Sequence, residues 1–107
     1  MGPASGRDSH RGKDTVRLVG SLRGEGRLAW GAREDPVAYQ LDVYAGRSRV
    51  TGSGSLDGPL QALAGSGVRV GVLRLADGTE IEVALSDIDG QGAMFESRGP
   101  LPPGLAA

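Results

Sequence analysis

VRLVGSLRGEGRLAW, residues 16–30, carries an apolar side chain or a glycine at every second position: Val16, Leu18, Gly20, Leu22, Gly24, Gly26, Leu28 and Trp30. The opposite parity holds Arg17, Val19, Ser21, Arg23, Glu25, Arg27 and Ala29. A period of two sends successive side chains to opposite faces of an extended chain, so the stretch reads as strand with one inward face. One bent strand explains it, as do two strands broken at Arg23-Gly24-Glu25. Glycine inside a strand marks a bend, a bulge or a close backbone approach, and three at alternate inward positions suit a strand coiling around a small barrel.

Working outward, Glu34-Asp35-Pro36 breaks the pattern, and Val37, Tyr39, Leu41 and Val43 then form the inward face of a second strand. After Ala45-Gly46, Val50, Gly52, Gly54 and Leu56 continue it on even positions. A two-residue loop at Ala45-Gly46 sets Leu41 against Val50, Tyr39 against Gly52 and Val37 against Gly54, with Asp42 against Arg49 on the other face. That register pairs apolar with apolar, covers a glycine with a tyrosine ring and opposes unlike charges. Its weak element is Ala45, because a type I′ turn needs positive φ at both central residues.

Residues 57–65 read as a short helix, with Asp57 as cap, Pro59 in the first turn and Gly65 as terminator, or as a loop with a single turn. Val68–Leu75 and Thr79–Ser86 flank Asp77-Gly78, a hairpin signal. A three-residue loop, Ala76-Asp77-Gly78 with Gly78 left-handed, aligns Leu73 with Ile81, Arg74 with Glu80 and Leu75 with Thr79. It also asks for a bulge near Gly71-Val72. Gly90-Gln91-Gly92 turns the chain into a last strand, 93–97, that buries Phe95.

The expected fold is therefore all-β: a small antiparallel barrel of five to six strands with one short helix between strands three and four. In its order, with a long coiled first strand, it resembles the oligonucleotide/oligosaccharide-binding barrel over residues 15–97. A six-stranded barrel or a sandwich of another topology fits the same pattern. Residues 1–14 and 98–107 are polar or rich in Pro and Gly and read as disordered tails around a single domain.

Composition bounds the chemistry. The 107 residues carry net charge −1, but residues 1–55 hold nine basic and six acidic side chains against three and seven in residues 56–107. The core rests on Val, Leu, Ile and Ala, since Trp30, Tyr39, Tyr44 and Phe95 are the only aromatics. With no cysteine there is neither disulfide nor thiolate chemistry. No apolar run approaches the roughly 18–20 residues of a membrane span, so a cytoplasmic protein without membrane contact is expected. One lysine against eleven arginines, and no asparagine, fit the codon bias of a GC-rich genome.

Candidate sites are few. The single histidine, His10, lies in the expected tail, which leaves a Ser-His-Asp arrangement without a rigid base. Glu80 and Glu82 share a face at a spacing of about 6.8 Å by strand rise, as hydrolase carboxylates do, but on the polar side where charge belongs. Asp87-Ile88-Asp89-Gly90-Gln91-Gly92 starts like a calcium loop, yet glutamine stands third among the ligands and Arg98 twelfth. Gly52-Ser53-Gly54 lacks the spacing of a phosphate loop. No enzyme, cofactor or metal is expected.

Two functions remain. One is a non-catalytic module acting through protein contacts, with a protein partner or as a homodimer through an exposed strand edge. The other, which the barrel resemblance implies, is binding of single-stranded nucleic acid or oligosaccharide. Its surface would be the outer face of strands two and three, with Tyr44, Arg47, Arg49 and Thr51 extended by Arg23 and Arg27.

Overall fold

A computed structural model describes residues 16–47, 49–99 and 101–102. Six strands and one short helix follow in order: β1 (Arg17–Trp30), β2 (Arg33–Ala45), β3 (Val50–Asp57), α1 (Gln61–Ala64), β4 (Val70–Arg74), β5 (Glu80–Asp89) and β6 (Gly92–Ser97). They close into an antiparallel barrel in the order β1-β2-β3-β6-β5-β4. Two three-stranded meanders thus meet along β3–β6 and β1–β4. Closure removes most of the edges that an open sheet would expose. The tail expected at residues 1–14 lies outside the described residues.

The alternation in β1 through β3 builds the core. Leu28, Val37, Tyr39, Leu41, Val43 and Leu56 are all buried, joined by Leu73, Ile81, Val83, Leu85 and Phe95 from the second meander. β1 is one strand rather than two, paired with β2 along its whole length. β2 begins at Arg33, so Glu34-Asp35-Pro36 lies inside a strand instead of interrupting one. Pro36 is tolerated because β3 pairs with β2 only from Ala38 onward, leaving β2 an edge at that point.

The β2–β3 register differs from the expected one. Leu41 faces Gly54 and Val43 faces Gly52, so each β2 residue meets a partner four positions further along β3. The cause is a longer connection, Gly46–Arg49, closed by a Gly46 N–H bond to the Arg49 carbonyl at 2.9 Å. The shift is even, so inward residues stay inward, but two contacts change. Tyr39 covers Gly24 instead of Gly52: a Cβ on Gly24 would lie 2.7 Å from the Tyr39 hydroxyl. Asp42 faces Ser53 instead of Arg49 and accepts a hydrogen bond from Ser21 Oγ at 2.7 Å.

The β4–β5 hairpin has the expected form, with Leu73 opposite Ile81, Arg74 opposite Glu80, and Gly78 at φ +94°. The bulge expected at Gly71-Val72 is absent, since β4 and β5 pair without a shift from Val70 to Arg74. Gly71 is the inward residue, opposite Val83. A Cβ there would come within 2.8 Å of the Ala29 carbonyl on β1, so the close approach of two strands fixes glycine.

Two ends of the barrel also depart from the sequence reading. The helix spans four residues with Leu60 as N-cap, while Asp57 ends β3 and caps nothing. Its Leu63 is buried, and Leu60 N–H bonds the Gly90 carbonyl at 3.0 Å, tying this segment to the β5–β6 turn. At the other end Leu101, the fourth residue of the stretch 98–107 read as a tail, is 6% exposed and part of the core. Its N–H bonds the Val50 carbonyl at 2.8 Å, extending the line of β6 along β3.

Candidate functional site

Three groups of residues bear on function, and they lie in different parts of the barrel. The first is the turn between β1 and β2. Asp35, 5% exposed, accepts from Trp30 Nε1 at 2.9 Å and from Arg33 at 3.4 Å, and the Arg33 guanidinium sits 5.8 Å from the Trp30 ring centroid. No buried side-chain polar atom in this cluster lacks a partner. It locks a turn and offers nothing to a substrate.

The acidic positions behave in the same way. Glu80 is bound to Arg74 at 2.8 Å, and its hydrogen bond and charge raise the arginine pKa further, helped by Glu34. Asp89 Oδ1 accepts from the N–H groups of Gln91 and Gly92 at 2.7 and 2.9 Å, closing the β5–β6 turn in place of a cation. Asp87 adopts φ +47° at the irregularity between Ser86 and Asp89. Among the described residues no three His, Cys, Asp or Glu side chains form a metal-binding group. No helix there is long and apolar enough to cross a membrane.

The second group is the expected Arg/Tyr face. Tyr44 and Thr51 are opposite each other on β2 and β3, and Arg47 and Arg49 lie in the loop joining those strands. Arg17 lies at the same end of the barrel, but it is opposite Ala45 and so projects to the face away from Tyr44. Arg23, opposite Gln40, stands about 14 Å away along the strand, at four residue steps. Arg27 is further still and is bound to Glu34 at 2.9 Å, so it takes no part. The structure therefore brings together Tyr44, Arg47, Arg49 and Thr51, and leaves Arg23 and Arg27 outside. Among the described residues Arg17, Arg47 and Arg49 have no carboxylate partner.

The third group was not legible as a site. β1 pairs with β2 from Arg17 to Trp30, but with β4 only from Arg27 to Ala29. From Arg17 to Gly26 its other edge has no strand partner among the described residues. A register shift between Leu18 and Gly20 bulges Val19 out, which puts Leu18 opposite Tyr44 on the outer face. Val16, Leu18 and Val19 are consequently 52%, 57% and 41% exposed instead of facing the core as alternation implies for Val16 and Leu18. The signal was the adjacent apolar pair Leu18-Val19, the one place in this strand where two large aliphatic residues are neighbours.

An open groove of about 390 Å³ crosses the outer face of β1, β2 and β3, lined by Arg23, Glu25, Ala38, Gln40, Ser55 and Asp57 among others. It holds no buried polar group aimed at a ligand. No protein family, no curated protein and no solved structure matches this chain.

Proposed function

We propose that the protein is a non-catalytic β-barrel module that binds protein partners through the unpaired edge of β1 and the aliphatic residues at its start. The single observation supporting this is that β1 is paired on one side only from Arg17 to Gly26. Unpaired backbone N–H and C=O groups in an extended strand are a template for adding another strand. Natural edges are blunted by charge, proline or a bulge. This one has a bulge, yet the bulge brings Val16, Leu18 and Val19 to the surface together. Exposed aliphatic side chains beside an open edge favour a protein over a polar ligand.

The test is photo-crosslinking in cells that make the protein, with benzoylphenylalanine at Leu18 and, as control, at Gln61 on the exposed side of α1. Discrete adducts from position 18 alone are expected. Equal adducts from both positions, or none from position 18, overturn the reading.

A second reading, single-stranded nucleic-acid binding as in oligonucleotide-binding barrels, draws support from Arg47 and Arg49 in the loop next to Tyr44. One half-buried ring is a small stacking platform, since such binders stack successive bases on aromatic side chains. Salt-sensitive binding of a labelled oligothymidine, lost in Arg47→Ala/Arg49→Ala, supports it; no binding at low salt removes it.

A further inference from the structure

Counted in pleat positions, with Val19 bulged out, the free edge of β1 runs from Arg17 to Gly26 and has Leu22 at its midpoint, four positions from either end. We infer that this edge pairs with the same edge of a second copy of the chain, antiparallel, about a two-fold axis at Leu22. The inference rests on the function proposed above and names the partner at that site.

Length is the first argument. From Arg27 onward the same side of β1 is occupied by β4, with Arg27 opposite Arg74, so any added strand must stop at Gly26. A second β1 centred on Leu22 pairs from Leu18 to Glu25 and brings its Arg17 to Gly26, where the Arg74 carbonyl already lies against β1 and ends the pairing. Centred on Gly24 instead, the incoming strand would run into β4. An isologous contact of this kind is closed: each edge satisfies the other and none is left for a third copy.

Side chains agree with this register. On the inner face Leu22, only partly packed against its own core, meets Leu22 of the second copy, and Gly20 meets Gly24. On the outer face Leu18 lies against Glu25 and Ser21 against Arg23, so no charge stands directly opposite a like charge, which would oppose pairing. The basic end of one copy, with Arg17, Arg47 and Arg49, comes beside the end of the other that carries Glu25 and, on the β4–β5 turn, Asp77.

The nine positions span about 30 Å, and a strip about 20 Å wide over both faces buries roughly 600 Å² per copy. Standard interfaces bury about 800 Å² per partner, so a dimer of micromolar rather than nanomolar strength is expected.

The experiment uses the full chain. In sedimentation velocity from low micromolar to a few hundred micromolar, the mass is expected to rise from 11.0 kDa toward twice that value. Because the sequence has no cysteine, single thiols report the register. Facing strand residues lie within disulfide reach. Leu22→Cys is expected to oxidise to a covalent dimer about tenfold faster than Gln61→Cys. Should Leu22→Cys disturb the core, a mixture of Ser21→Cys and Arg23→Cys serves instead: both positions are exposed, and the mixed dimer is expected to dominate over either self-dimer. A constant 11.0 kDa, or no excess of the mixed dimer, overturns the inference. Adducts from Leu18 to another protein with a strictly monomeric chain would remove the second copy and leave the interaction edge standing. Absence of any adduct from Leu18 would remove the edge itself.

Discussion

Leu101→Ala measures how far the folded unit extends into the Pro-rich C-terminal stretch. The leucine side chain is 6% exposed, and its Cδ1 would lie 3.1 Å from a Cβ placed on Gly52, so it fills the inward space that β3 leaves at that glycine. Truncating a buried leucine costs about 2–5 kcal/mol, the lower part applying where the surroundings collapse or admit water. Leu101 sits beyond the end of β6, at the rim, and the expected loss is about 2–3 kcal/mol. With a urea m-value of about 1.5 kcal/mol/M, the unfolding midpoint falls by about 1.3–2 M. Deletion after Ser97 also removes the backbone bonds from Arg98 to Glu82 and from Leu101 to Val50, worth about 1 kcal/mol each, for a total of about 4–5 kcal/mol. That is a large share of the 5–15 kcal/mol typical of a domain. Equilibrium urea unfolding followed by tryptophan fluorescence and by circular dichroism is the assay, with the exposed Leu18→Ala expected within about 0.5 kcal/mol of the parent. A Leu101→Ala midpoint indistinguishable from that of Leu18→Ala would refute the reasoning and return this segment to an unstructured tail.

Three further outcomes are expected. Gly54→Ala places a methyl group against the Gln40 carbonyl and the Leu41 Cα, both backbone, so β2 and β3 must separate; a loss of about 1–3 kcal/mol or more is expected in urea unfolding, and a neutral result would contradict the register. Asp35→Ala strands the Trp30 indole N–H at a buried site and costs about 1–3 kcal/mol; emission from the single tryptophan shifts as well, and an unchanged spectrum with unchanged stability would count against the cluster. Hydrogen bonds from Thr79 hold the Asp77 carboxyl below its ordinary pKa of 3.8, so the stability it contributes is present above that value and is lost as pH falls through the lowered folded-state pKa. The difference between the parent and Asp77→Ala, read as urea midpoints, is therefore expected at neutral pH and should narrow in strong acid; a gap that widens there would reverse the sign.

Part of this architecture is legible in the chain itself. Strict alternation at Val37, Tyr39, Leu41 and Val43 fixes which side chains face inward, because in extended backbone the period is two whatever the neighbours are. The hairpin at Asp77-Gly78 is equally local: Gly78 accepts positive φ, and the loop length then decides that Arg74 meets Glu80. The short helix between the third and fourth strands and the burial of Phe95 follow from similarly local signals.

What only the tertiary structure decided depends on residues far apart in sequence. Alternation leaves register free to slip by even steps, so the four-residue connection at Gly46–Arg49, and not the apolar pattern, put Leu56 rather than Gly52 opposite Tyr39, while the pairing of β1 with β2 set Gly24 under its ring. Leu101 joins the core because β6 ends short of Val50 and leaves a carbonyl and an apolar slot that the following chain fills. The open edge of β1 arises from the barrel's stagger: β4 reaches only Arg27–Ala29, and no feature of residues 17–26 records where another strand will stop. Side-chain facing is a property of one strand, but pairing is a property of two, and the candidate interaction surface is defined by a pairing that ends.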